Sequence, residues 1–87
     1  LELSVIIPAF NEEGGIRTTV ERVQAVLTSM ACRSELVVVD DGSADRTAAE
    51  ARAAGARVVA HPKNKGYGAA LKTGILGSKA DCILIID

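Results

Sequence analysis

Carboxylates gather where short apolar runs give way to polar residues. Glu12 and Glu13 follow the first run, Asp40 and Asp41 end the second, and Asp87 ends the last. Asp40 and Asp41 are adjacent like charges, so both stay ionised only with water, hydrogen-bond donors or a cation nearby. Carboxylates so placed can accept from a nucleobase N–H or from ribose hydroxyls. Gly42 then allows a tight turn, and Ser43, Asp45 and Thr47 carry oxygens suited to starting a helix. Capping accounts for Ser43 and Asp45, but not for two carboxylates ahead of the turn. His61 is the only histidine. It precedes Pro62, where backbone is biased toward extended conformations, and with no partner legible in the sequence it reads as incidental rather than as a general base. Lys63 and Lys65 can meet phosphate as point charges or can simply be solvated. Phe10 and Tyr67, the only aromatics, can flank a base or fill a core. Water alone also selects polar loops. Acids at or near three of the four run ends tip the reading toward a site.

The runs that must position these residues span 3–7, 36–39, 58–60 and 82–86. They are rich in β-branched residues and too short for helices. None alternates apolar with polar, which predicts strands buried on both faces in a parallel sheet. Between them, Ile16, Val20, Val23, Leu27 and Met30 recur at steps of three and four, one stripe of a helix. An alanine-rich helix is expected at about 45–54. A third is expected at about 67–78, with Ala70, Leu71, Ile75 and Leu76 inward. Gly68, Gly74 and Gly77 weaken that helix unless close approach to the sheet requires them. Alternating strands and helices predict an α/β fold, a Rossmann-like parallel sheet with helices on both faces and strand order 3-2-1-4. Ligands of such sheets bind beyond the carboxyl ends of the strands, where the acids lie.

Composition narrows the function classes. Eighty-seven residues make one small domain or part of a larger one, able to remove only about 60% of the unfolded surface from water. With 48% apolar and 24% charged residues the chain can nevertheless build a core. A net charge of −1 and 2% aromatics argue against a nucleic-acid binder. No apolar run approaches the roughly 18 residues of a membrane span. Cys32 and Cys82 lack metal-site spacing and read as buried or half-buried thiols of a reducing compartment. The first loop lacks the G-x-G-x-x-G of dinucleotide folds, and no G-x-x-x-x-G-K-[ST] loop occurs. A phospho-accepting receiver domain would carry its acid pair after the first strand rather than the second. Ending at Asp87 without a closing helix, the chain reads as the N-terminal part of a longer protein.

Three segments together resemble family 2 glycosyltransferases, closest to the polyprenyl- and dolichyl-phosphate sugar transferases. They are Ser4-Val5-Ile6-Ile7-Pro8-Ala9-Phe10-Asn11-Glu12-Glu13, then Val37-Val38-Val39-Asp40-Asp41-Gly42-Ser43-Ala44-Asp45-Arg46-Thr47, then Asn64-Lys65-Gly66-Tyr67-Gly68-Ala69-Ala70-Leu71. The resemblance implies a partial GT-A fold, with residues 1–87 as its nucleotide-sugar-binding part. By analogy Pro8, Ala9 and Glu12 line the nucleoside pocket and Asp41 accepts from the base. Asp40 supports the turn, and Lys65 and Gly66 lie near the donor. Asp87 matches the first acid of an Asp-x-Asp motif whose carboxylates hold Mg²⁺ or Mn²⁺ on the donor diphosphate. The implied partners are a UDP- or GDP-sugar and an acceptor such as a polyprenyl phosphate, in the cytoplasm or, for the full-length protein, at the cytoplasmic membrane face. No catalytic base is matched, so this chain alone is expected to bind donor weakly without transferring sugar. Another nucleotide-binding α/β enzyme, such as a nucleotidyltransferase, or a non-catalytic binding module are the alternatives. The last strand, uncharged and at a sheet edge, is expected to promote self-association of the fragment.

Overall fold

The computed structural model describes all residues, Leu1–Asp87. Strands β1 (Leu3–Ala9), β2 (Ser34–Asp40), β3 (Arg57–Ala60) and β4 (Cys82–Ile85) alternate with helices α1 (Ile16–Ser29), α2 (Thr47–Ala53) and α3 (Tyr67–Leu76). The sheet is fully parallel in the order β3-β2-β1-β4, as the run pattern predicts. Register aligns Ala9 with Asp40 and Asp40 with Ala60. Phe10, Asp41 and His61 therefore leave the sheet at one level.

Two cores sandwich the sheet. Val5, Ile7, Leu36 and Val38 face α1 and α2, meeting Ile16, Val20, Leu27 and Ala51. Ile6, Val37 and Val39 point the other way, against Ala70 of α3. Successive strand side chains alternate faces, so the unbroken apolar runs of β1 and β2 serve both layers. Progress from β1 through β2 to β3 keeps α1 and α2 on one face, and reversal to β4 sends α3 to the other. That reversal, between β1 and β4, is the topological switch point at which such sheets bind ligands.

Four expectations need correction. β3 and β4 are not buried on both faces: as the two edge strands, β3 is only partly buried and β4 is exposed along its length. α2 begins at Thr47 rather than near residue 45, because the preceding residues form the turn described below. In α3, Ile75 and Leu76 face outward, Leu76 at 73% exposure. The inward places go to Ala70 and Gly74, since a residue this close to the sheet has no room for a branched side chain. Cys82 is exposed, not half-buried, because it opens the edge strand β4.

Gly74 shows how tight the fit is. A Cβ built there would lie 2.6 Å from Cγ2 and 2.9 Å from Cδ1 of fully buried Ile6. Gly68, on the same helix, has nothing within 4 Å of an added Cβ. Alanine gains about 1 kcal/mol of helix propensity over glycine at either position. At Gly74 overpacking, typically about 1–3 kcal/mol, outweighs that gain. Gly74→Ala should therefore lower unfolding free energy and Gly68→Ala should raise it slightly. Urea denaturation of both variants checks the difference, and a stabilised Gly74→Ala would refute the close-packing account.

Candidate functional site

Local hydrogen bonding at the carboxyl ends of the strands builds the site. Asp40 and Asp41 are 5% and 4% exposed, so each needs donors. Asp40 receives the Ser43 amide at 3.1 Å and the Ser43 hydroxyl. Ser43 is thus spent on folding the turn back onto Asp40 rather than on capping α2. Asp45 does the helix-starting work, accepting from the Thr47 amide at 3.0 Å and from the Thr47 hydroxyl. Gly42 makes the turn possible in two ways. Its φ is +71°, and a Cβ there would lie 2.3 Å from the backbone carbon of Lys63.

This turn interlocks with the loop after β1. Asn11, at φ +52°, donates its amide to the Ser43 hydroxyl at 2.8 Å and accepts the Ala44 amide on Oδ1 at 2.9 Å. Asparagine tolerates that left-handed backbone better than most residues. The Glu12 amide donates to Thr47 Oγ1 at 2.8 Å, and the Glu13 amide to Asp45 Oδ2 at 3.3 Å. The Pro-x-x-Asn-Glu and Asp-Asp-Gly-Ser-x-Asp-x-Thr elements are therefore partners, each satisfying the other's backbone.

Asp41 ties in the third loop. Its Oδ1 bonds His61 Nδ1 at 2.7 Å and accepts the Lys65 amide at 2.9 Å; its Oδ2 accepts the Gly66 amide at 2.8 Å. These donors, the His61 bond foremost, hold the Asp41 carboxyl below the usual aspartate range against the opposing effect of burial. His61, its side chain only 7% exposed, also bonds Thr73 Oγ1 through Nε2 at 2.7 Å. Sequence reading missed this role. Its partners lie 20 positions before it and 12 after, and only the fold unites them.

A cavity of about 320 Å³ opens here, lined by Pro8, Ala9, Phe10, Asp41, Gly66 and Tyr67 among others. It adjoins a second hollow of about 400 Å³ that shares Pro8, Ala9, Phe10 and Tyr67 and adds Glu12 and Asp87. Of the residues expected at the site, Pro8, Ala9, Glu12, Asp41, Gly66 and Asp87 thus share one continuous rim. Asp40 sits behind the rim as a buried support, and Lys65 reaches it through its backbone amide while its side chain lines neither hollow. Phe10 and Tyr67 are about half exposed and serve as cavity walls rather than as core. Tyr67 also donates its hydroxyl to Asp87 Oδ2 at 2.6 Å, which raises the tyrosine's pKa.

Comparison with known proteins agrees with this architecture. The family model for glycosyl transferase family 2 matches residues 4–87. Dodecaprenyl-phosphate galacturonate synthase of Rhizobium johnstonii is 40% identical over 93 residues, covering 100% of this chain and 28% of that protein. Undecaprenyl-phosphate 4-deoxy-4-formamido-L-arabinose transferase of Edwardsiella ictaluri is 38% identical, covering 98% of this chain and 28% of the relative. The chain thus spans under a third of the length of these relatives. Among solved structures, glucosyl-3-phosphoglycerate synthase from Mycobacterium tuberculosis, in complex with Mn²⁺, UDP-glucose and phosphoglyceric acid, superposes with a TM-score of 0.85 at 32% identity. That match covers 99% of this chain and 32% of the other. The same enzyme with Mg²⁺ and UDP gives a TM-score of 0.84.

The hydrogen-bonded acids predict an acid limit to stability. Asp41, Asp45 and Glu50 all have lowered pKa values: Asp41 through His61, Asp45 through the Thr47 hydroxyl, Glu50 through Arg17. A carboxylate whose folded pKa is depressed contributes stability that is fully present above its unfolded pKa, near 4. The contribution disappears as pH falls through the folded value. Melting temperature should therefore decline progressively below about pH 4. Asp41→Asn should be less stable at neutral pH and flatter on the acid side. Parallel acid limbs for the two chains would show that Asp41 does not carry the effect.

Proposed function

The chain belongs to glycosyl transferase family 2, and we propose that residues 1–87 form the donor-binding part of an enzyme that transfers a sugar from a nucleotide diphosphate to a lipid phosphate. One observation carries the reading. The rim at the switch point has a buried carboxylate with acceptor capacity at one end, an exposed carboxylate at the other, and two aromatic walls between.

In this reading Pro8, Ala9 and Glu12 form the floor and side of the nucleoside pocket, and Asp41 accepts a base N–H. Asp40 keeps the turn under it in place. Gly66, with no side chain in the way, admits the donor close to the start of α3, and the Lys65 ammonium offers a mobile positive charge to phosphate. UDP, bound by the solved neighbours, is the nucleotide to test first. A polyprenyl phosphate acceptor is favoured because the relatives named for it are 40% and 38% identical, against 34% for glucosyl-3-phosphoglycerate synthase. No helix is long and apolar enough to cross a membrane; such an acceptor would bring the protein to the cytoplasmic membrane face. None of these residues is assigned as catalytic base.

One hard oxygen donor, Asp87, suits a divalent cation, although no cluster of three or more His, Cys, Asp or Glu side chains surrounds a single point. Asp87 is exposed at the mouth with Oδ1 free of hydrogen bonds to the protein, and Mg²⁺ or Mn²⁺ commonly binds through one or two carboxylates plus substrate phosphates. When bound, the cation would neutralise charge developing on the departing diphosphate. Asp87 would hold it, with Tyr67 orienting the carboxylate through its second oxygen.

UDP with Mn²⁺ should perturb NMR amides around residues 8–12 and 40–43, and Asp41→Ala should weaken binding about tenfold, the worth of one hydrogen bond to a charged group. Shifts confined to the outer helix faces, or undiminished binding by Asp41→Ala, would refute the assignment.

Self-association belongs to the same reading. Ile83, Leu84 and Ile85 on edge strand β4 are 38%, 49% and 37% exposed, with no charge, proline or bulge to deter pairing with a second copy. Light scattering should show mass rising with concentration, and Ile85→Lys should suppress the rise. A monomer at all concentrations, or association indifferent to the lysine, would refute it.

A further inference from the structure

The Asp41 carboxylate has a countable set of acceptor positions. Two oxygens offer about four lone-pair sites. His61 Nδ1 and the Lys65 amide occupy Oδ1, and the Gly66 amide occupies one position on Oδ2. One acceptor position remains, on Oδ2, and Asp41 lines the cavity. Two kinds of donor fix the carboxylate in that orientation, backbone amides on both oxygens and the His61 ring on Oδ1. The backbone donors are the amides of Lys65, exposed in the loop after β3, and of Gly66, the partly buried residue just before α3. His61 is clamped at both ring nitrogens, to β2 through Asp41 and to α3 through Thr73, and its side chain is 7% exposed. Its own amide donates to the Asp40 carbonyl at 2.8 Å, so the ring is held at the sheet end by backbone as well.

We propose that His61 is a positioning residue for base recognition: by saturating Oδ1 it presents the single remaining acceptor of Asp41 Oδ2 to the imino N–H of the donor's base. The role rests on the proposed reading of Asp41 as base acceptor. It differs from general-base chemistry, because His61 touches no substrate and acts only through Asp41. Without His61 the carboxylate, held by only one backbone amide on each oxygen, would carry a second vacant position on Oδ1 and bind a base N–H less selectively. Clamping closes that second position before the ligand arrives, the same gain that preorganisation gives to any binding site.

The test compares UDP with UDP methylated at uracil N3, each with Mn²⁺, and uses Mn²⁺-pyrophosphate as a ligand without a base. The unmodified chain should prefer UDP to the methylated ligand by about tenfold, the size of one hydrogen bond to a charged group. In His61→Ala the preference should shrink toward unity and UDP affinity should fall about tenfold, with pyrophosphate affinity unchanged. His61→Asn, whose amide nitrogen can donate from nearly the position of Nδ1, should restore most of the preference. A His61→Ala chain that keeps the full preference overturns the proposal and leaves the base reading intact. Equal binding of the two nucleotides by the unmodified chain overturns the base reading, and the proposal with it. Equal losses of UDP and pyrophosphate in both variants would mark His61 as a fold element only, and would also overturn it.

Discussion

Burying a carboxylate at the end of a central strand imposes a requirement on everything around it. Asp41 is nearly inaccessible, and an ionised group there costs several kcal/mol unless donors surround it. The donors come from the loop after β3 and from the start of α3, so the path of that loop follows from the position of the charge. Lys65 and Gly66 must turn their amides toward β2, His61 must turn its ring inward, and α3 must begin at Tyr67. The cavity is what remains when three loops have been drawn together by this demand. A neutral residue at position 41 would leave buried amides and a buried imidazole without their acceptor, which is why the site and the local fold cannot be separated.

The loop after β1 shows the same economy by a different route. Its backbone amides at Asn11, Glu12 and Glu13 find acceptors on Ser43, Thr47 and Asp45, in the next loop and at the first residue of α2. Side chains that read from the sequence as helix caps are largely committed to holding the two loops in register. Asp45 and Ser43 are therefore unavailable to a ligand, whereas Pro8 and Ala9, which have little to offer chemically, line both hollows. Recognition in such a site rests on shape and backbone, with one or two carboxylates supplying direction.

What the sequence made legible follows from the range of the interactions involved. Strands β1 and β2 and their parallel pairing are visible because burial on both faces leaves unbroken runs of Val, Ile and Leu, whereas the edge strands β3 and β4 carry similar runs without that burial. The stripe of α1 is visible for the same reason, although Met30 at its end is exposed. The inward face of α3 was misread because apolar identity pointed to Ile75 and Leu76, while distance to Ile6 allowed only Gly74. His61 was misread because a buried histidine is defined by partners, and both of its partners are remote in sequence. Local pattern reports what is buried; it reports poorly on how close two elements come, or on which polar groups meet.

Strand order also fixes how the two ends of the rim are divided. β2 and β4 flank β1, so Asp41 and Asp87 emerge two strand spacings apart, about 10 Å along the sheet. Between them β1 contributes Pro8 and Ala9, a residue without an amide hydrogen and one with the smallest side chain after glycine. In the proposed reading a nucleoside lies across this flat, apolar interval of β1, with its base toward β2 and its phosphates toward β4. The reversal of strand order is what opens the interval, since α1 leaves β1 on one face while α3 approaches β4 from the other. In the proposed reading the division of labour is thus a property of topology. The carboxylate on the β2 side is buried and held ionised by protein donors, so its part is to accept a hydrogen bond. The one on the β4 side is exposed with an oxygen to spare, so it can meet a cation. Exchanging their environments would abolish both functions without changing a single residue type, because what distinguishes the two aspartates is the set of donors that the fold brings to each.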